Sequence, residues 1–231
     1  MKNRLDCLLT LIPDGIGVVD VGTDHGYLPV MLAKRGYPGA LIASDLREGP
    51  LAAARRSAKE AGVEGQIRFL LCDGLEQCDR EQVDTIVIAG MGGDTICGIL
   101  DRAEWCMDRR YLLVLQPMTR AEVLRYWLVN NGFGILRERL VEEGGTVYSV
   151  LTARFDGATT LTDAELFTGA FSMVEAEKLW PAFLQLQIRR FEKMLAGLRE
   201  ANRDPGRIRL IEGIVLQLKG RTPDDDRTGH F

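Results

Sequence analysis

The sequence predicts an α/β fold, a Rossmann-like parallel sheet followed by a C-terminal α-helical hairpin. Short apolar runs alternate with helical patterns as far as residue 155. The first run, Ile16 to Val19, ends in Asp20 and in a turn, Gly22-Thr23-Asp24-His25-Gly26, that opens a helix. Beyond Gly157 the period is helical throughout. The expected division is residues 1–157 as a nucleotide-binding domain, 158–220 as a helical extension and 221–231 as a polar, unstructured tail.

The glycine turn carries the first chemical information. Gly22 and Gly26 let the backbone turn tightly and approach a ligand, which places a crevice at the carboxyl end of this strand. A dinucleotide fingerprint needs a glycine where Asp24 stands, and Asp20 adds a second carboxylate just ahead of Gly22. Negative charge there repels a pyrophosphate but tolerates a nucleoside with positive charge. S-adenosylmethionine, with its sulfonium and α-amino group, is such a cofactor. A plain strand-to-helix turn without a ligand is the bland alternative.

The remaining elements follow in order. Arg4 to Ile12 is a short amphipathic helix closed by Pro13-Asp14-Gly15, expected to plug one side of the sheet. Tyr27 to Arg35 is the next helix, stopped by Gly36. Ala40 to Ala43 is the second strand, and Asp45 at its end is placed to accept both ribose hydroxyls of an adenosine. A helix through Leu51 to Glu60 leads to the third strand, Ile67 to Leu71, whose end carries Asp73-Gly74. Asp73 is either an acceptor for an adenine amino group or a helix cap. Val83 to Ala89 is the fourth strand and runs into Gly90-Met91-Gly92-Gly93, where the backbone is expected to come close to a ligand. Thr95 to Asp101 is helical, Tyr111 to Leu115 is the fifth strand, and Arg120 to Asn131 is the next helix. Ile135 to Val141 and Val147 to Phe155 read as a closing hairpin. A parallel sheet finished by an antiparallel hairpin is the class I methyltransferase plan. In the extension, Phe183, Leu186, Phe191, Met194, Leu195 and Leu198 recur at helical spacing, and Ile208, Ile211, Val215 and Leu218 resume it after Asp204-Pro205-Gly206.

Composition narrows the class. No run of about eighteen apolar residues exists, and the first thirteen residues lack a signal-peptide pattern, so a cytoplasmic protein with no membrane partner is expected. The five cysteines form no C-x-x-C pair and have only two histidines beside them, so no metal is expected. The net charge of −4 is unevenly spread. Residues 1–177 hold 18 basic against 26 acidic side chains, whereas residues 178–219 hold 9 against 4. An acidic body with a basic arm can hold a polyanion, and the alternative is a solvated helical face.

Taken together, Asp20 to Pro29, Ser44-Asp45-Leu46, Gly49-Pro50-Leu51, Asp73-Gly74-Leu75, Ala89 to Gly93, Leu115-Gln116-Pro117, Arg125, Trp127-Leu128 and Glu143 to Tyr148 resemble the bacterial tRNA adenine-N1 methyltransferases that act in the D-arm region, at tRNA position 22. The resemblance covers about residues 1–155, and the helical hairpin looks like the family's C-terminal extension. It implies S-adenosylmethionine as donor and an adenine ring nitrogen in tRNA as acceptor. The implied cofactor-binding residues are Asp20, Gly22, Gly26, Asp45, Leu46, Asp73, Gly74, Gly90, Met91 and Gly92. Tyr27, Gln116 and Pro117 are expected on the substrate side, with Arg189, Arg190 and Lys193 on the basic arm. Asp24 and His25 are the catalytic candidates, to bond the adenine edge or take up the charge developing on the ring. Two positions depart from the family pattern, Met118 in place of an asparagine and Ser149 in place of a glutamate.

Methyl transfer to a ring nitrogen needs alignment and removal of water rather than a triad or a metal. The chain also lacks the Asn/Asp-Pro-Pro-Tyr/Phe tetrapeptide of exocyclic-amine methylases. Three alternatives stay open at this point: a methyltransferase for a small molecule or protein, an RNA-binding module that has lost catalysis, and, remotely, a nicotinamide enzyme. For the hairpin, packing against the body or against a second subunit in a homodimer is the alternative to holding RNA.

Overall fold

The computed structural model describes residues 4–201 and 204–222. The chain divides into two compact units, residues 1–160 and residues 161–231. Of the expected tail at 221–231, residues 223–231 lie outside the described residues, whereas Arg221 is held in place, paired with Glu175 at 3.2 Å and lying over the Phe171 ring at 4.5 Å.

The first unit is built on a seven-stranded sheet in the order β3-β2-β1-β4-β5-β7-β6. Strands β1 (Gly17–Val21), β2 (Ala40–Asp45), β3 (Ile67–Leu71), β4 (Thr85–Gly92) and β5 (Leu112–Thr119) are parallel. Strands β6 (Phe133–Glu143) and β7 (Thr146–Phe155) form the closing hairpin, and β7 runs antiparallel to β5. All five residues of β1 are buried, the pattern of a strand covered on both faces. Helices α1 (Arg4–Leu11), α2 (Tyr27–Lys34), α3 (Glu48–Glu60), α4 (Gly93–Asp101) and α5 (Ala121–Asn130) belong to this unit. The strand order reverses between β1 and β4, so the crevice of such a sheet opens at the carboxyl ends of these two strands.

Several boundaries differ from the sequence reading, β5 and β6 running longer than expected among them, and at two the physical reason is plain. Strand β4 continues through Gly90, Met91 and Gly92 instead of stopping at Ala89, because register shifts let Met91 pair with Pro117 and Gly92 with Thr119. Helix α4 therefore starts at Gly93, ahead of the expected Thr95. Gly26 is required by packing: its φ is +68°, and a Cβ there would come within 2.8 Å of the Ala54 Cβ on α3.

A buried ion pair joins α5 to the hairpin. Arg125 is fully buried; its Nε donates to Glu138 Oε1 at 3.0 Å and its Nη2 donates to Ser149 Oγ at 2.7 Å and also to Glu138. Ser149, one of the two departures from the family pattern, thus belongs to a core network.

The second unit holds α6 (Asp163–Thr168), α7 (Phe171–Val174), α8 (Trp180–Glu200) and α9 (Pro205–Lys219). The two short helices were not anticipated; α6 opens with a Thr162/Glu165 capping box and carries Phe167 onto Phe191 of α8, with ring centroids 4.8 Å apart. Helices α8 and α9 are antiparallel, with Arg199 bonded to Glu212 and Glu192 bonded to Lys219, both at 2.6 Å. Leu186, expected inward, is 50 % exposed, since the buried stripe of α8 runs through Phe183, Leu184, Ile188, Phe191 and Leu195.

Candidate active site

The β1 turn and the β2 end are tied into one structure. The N–H groups of Gly22 and Thr23 both donate to the Ser44 carbonyl at 2.9 Å. Asp20 is buried, and its Oδ2 accepts a 2.7 Å bond from Thr23 Oγ1. Burial pushes the Asp20 carboxyl up to about 6, with the Asp45 charge adding to the rise and the Thr23 bond opposing it. Asp24 stands in the left-handed region at φ 51°, where Asp is tolerated better than most residues, and its side chain is largely exposed. Asp45 Oδ1 accepts from the Arg47 N–H at 3.0 Å.

A cavity of about 850 Å³ opens over these strand ends. Gly22, Asp24, Asp45, Leu46, Asp73, Gly74, Gly90 and Met91 line it, so most of the expected cofactor residues converge there. Gly90 has φ +79° and nothing within 4 Å of a built Cβ, so its backbone presents an open face. Leu46 is 64 % exposed, an apolar side chain with no covering on the rim. A second cavity of about 350 Å³ shares Arg4, Gly22, Asp24, Ala89 and Gly90 with the first and adds Asp20, Thr23, His25, Tyr27, Gln116 and Glu143. His25 stacks on Tyr27, with centroids 5.4 Å apart and planes 13° apart, and its Nε2 lies 3.7 Å from Asp24 Oδ2.

Three expected residues of the first unit line neither cavity. Gly26 packs on Ala54; Gly92 is the N-cap residue of α4; Pro117 is buried in the β4–β5 ladder. Gln116 reaches the second cavity, yet its amide is engaged: Oε1 accepts from Gly90 N at 3.2 Å and from Arg4 Nη1 at 3.1 Å, and Nε2 donates to the Pro117 carbonyl at 2.9 Å. Asp73 is bonded to Arg102 at 2.9 Å, a partner on the turn after α4 that the sequence did not reveal. Arg4 was also missed. Its guanidinium pairs with Glu143 and bonds Gln116, and Met118 also lines the first cavity beside it. The only local signal was a cation at the start of an otherwise apolar helix. In the second unit Arg189, Arg190, Lys193, Arg207 and Arg209 are all exposed. With Arg199 opposite Glu212, the α9 arginines sit at the loop end of the hairpin, about 18 Å along the axis from Arg190 at 1.5 Å per residue, so the basic strip is two clusters.

Among the described residues no group of three His, Cys, Asp or Glu side chains could hold a metal, and no helix is long and apolar enough to cross a membrane. Burial pushes the Cys97 thiol up to about 11 and that of Cys106 up to about 12, which leaves them protonated and unreactive at neutral pH.

The sheet order, the closing hairpin and the acid-lined crevice at the β1 and β4 ends define a class I methyltransferase. Residues 1–151 match the methyltransferase domain family, and the chain belongs to it. Over 153 residues it is 33 % identical to the tRNA (adenine(22)-N(1))-methyltransferase of Bacillus subtilis, a match over 66 % of this chain and 64 % of the relative, so under two thirds of that relative's length is spanned. The solved structure of the B. subtilis m1A22 tRNA methyltransferase has a TM-score of 0.83 at 26 % identity, covering 96 % of this chain and 99 % of that one. A putative tRNA (m1A22) methyltransferase from Streptococcus pneumoniae, solved with S-adenosyl-L-methionine, has a TM-score of 0.80 at 30 % identity, covering 95 % and 98 %. These relatives bear out the resemblance drawn from the sequence motifs.

Proposed function

We propose that the chain is an S-adenosylmethionine-dependent methyltransferase acting on N1 of an adenine at position 22, in the D-arm region of tRNA. The likeness to the B. subtilis enzyme of that name carries the reading. The strand-end residues fit the donor: Asp45 faces the ribose hydroxyls, Leu46 and Gly74 flank the adenine, Asp73 faces its amino group, and Gly22, Gly90 and Met91 border the methionine arm. Asp20 supplies a carboxylate for the α-ammonium. The bound donor supplies an electrophilic methyl on a sulfonium; the chain's own part is to align it and exclude water.

The second cavity receives the acceptor adenine, which must leave its stack to enter. Tyr27, stacked with His25, offers an aromatic face to a base. N1 has a lone pair and needs no base to free it, but the ring becomes cationic on methylation. Asp24 stands on the wall the two cavities share, where a carboxylate favours that charge, and the His25 imidazole in the second cavity can bond the base edge. Gln116 and Pro117 serve this side indirectly, by holding the Gly90 turn. Residues 158–220 hold the tRNA through the clusters at Arg189, Arg190, Lys193 and at Arg207, Arg209.

The test is incubation with tRNA and S-adenosylmethionine, followed by nuclease digestion and mass spectrometry. Methylated adenosine mapped to position 22 is expected; tRNA left unmodified under donor saturation overturns the reading.

A further inference from the structure

We propose that Arg4 receives the α-carboxylate of the methyl donor, opposite Asp20, which takes the α-ammonium. The inference rests on the donor assigned above and adds the one charge that assignment leaves unmatched. Asp20, Asp45 and Asp73 supply acceptors only, yet the donor's amino-acid end is zwitterionic and a carboxylate entering an acid-lined crevice needs a cation.

Among the described residues three arginines line the large cavity: Arg4, Arg47 and Arg102. Arg102 is bonded to Asp73 and lies 3.6 Å from Glu76, at the adenine end. Arg47 follows Asp45 and Leu46, at the ribose end. Arg4 alone among them also lines the second cavity, with Asp20. That is where the amino-acid end must lie if the methyl group is to face the acceptor.

The Arg4 guanidinium is held ready there. Nε pairs with Glu143, Nη1 donates to Gln116 Oε1 at 3.1 Å, and the Tyr148 ring centroid lies 5.1 Å from Cζ. Nη2 has no hydrogen-bond partner among the described residues, which leaves a donor for an incoming carboxylate. A planar, delocalised cation fixed on three sides loses little freedom when it binds. The helix that seemed only to plug the sheet thereby brings a charge to the site.

Calorimetry with the full chain tests this, comparing S-adenosylmethionine with its decarboxylated analogue, which keeps the sulfonium and amine and lacks the carboxylate. The wild type is expected to prefer the intact donor by about tenfold or more, the value of a hydrogen bond between charged groups. Arg4→Gln should bind the two ligands within about threefold of each other, with unchanged affinity for the decarboxylated one, which also reports that it is folded. Arg4→Lys, a point charge, should recover part of the preference. A wild-type preference retained in Arg4→Gln overturns the assignment. So does equal loss of both ligands, which would mean that Arg4 acts only through Gln116 and Gly90, or a variant altered solely in its KM for tRNA, which would place Arg4 on an RNA phosphate. Failure of the wild type to bind either ligand removes the donor reading itself, a result distinct from any of these.

Discussion

The backbone N–H of Asp24 points at Oδ2 of Asp45, 3.4 Å away, so the residue in the fingerprint's middle position is tied to the carboxylate that ends the second strand. Through this contact the acid proposed for the donor and the acid proposed for the acceptor side are linked to each other. Asp45→Ala removes a charged acceptor from the ribose and loosens the turn as well. Donor affinity should fall about tenfold or more, at about 1.5–3 kcal/mol for hydrogen bonds to a charged group. Equal calorimetric affinities for the variant and the wild type would rule out the ribose role.

Asp24→Asn keeps the side-chain shape and the tolerance for φ 51° while removing the charge. Donor affinity should stay within severalfold while the methylation rate falls strongly, as expected for a charge proposed to face the acceptor. If donor affinity collapses with the rate, Asp24 belongs to the donor site and His25 is left as the acceptor-side group.

Asp20 gives the pH dependence. Its folded-state pKa of about 6 is above the unfolded 3.8, so between those values the folded chain holds a proton that the unfolded chain has released. Stability therefore falls as pH rises from about 4 to about 6 and this contribution is flat above, with a span of about 3 kcal/mol at most for a shift of about two units. Donor binding runs the other way, because the α-ammonium needs the carboxylate ionised: affinity should rise through pH 6 and level off. Asp20→Asn should flatten the stability profile, which denaturant titrations across this window would show; an unchanged profile places the titration elsewhere.

Glu138→Ala leaves the Arg125 guanidinium in the core without its carboxylate, and breaking a buried pair costs about 3–5 kcal/mol. Replacing both residues with apolar side chains of similar volume should cost less than the single change. Chemical denaturation of the three proteins decides, and a single variant as stable as wild type would mean that the pair contributes nothing.

Truncation after Thr160 preserves the bond from the Ile135 N–H to Thr159 Oγ1, at 2.9 Å, that a cut after Gly157 would lose. The remaining domain should fold and bind donor but bind tRNA more weakly, with a shallower dependence of affinity on salt, as expected if the removed helices neutralise phosphates. An unchanged affinity and salt slope would place the RNA surface on the first unit.

Much of this protein was legible in its sequence because the signals are local. The strand from Ile67 to Leu71 was placed at its observed bounds, and counting strands put Asp20, Asp45 and Asp73 at strand ends, which a parallel sheet sets on one edge. What tertiary structure alone decided concerns pairs far apart in the chain. Arg4 meets Gln116 and Glu143, Arg102 meets Asp73, and Arg125 meets Glu138 and Ser149. None of these contacts leaves a periodicity, because a long charged side chain chooses its partner by where the backbones converge. Gly26 shows the same division within one residue: sequence marked the need for a glycine, and packing on Ala54 gave the reason.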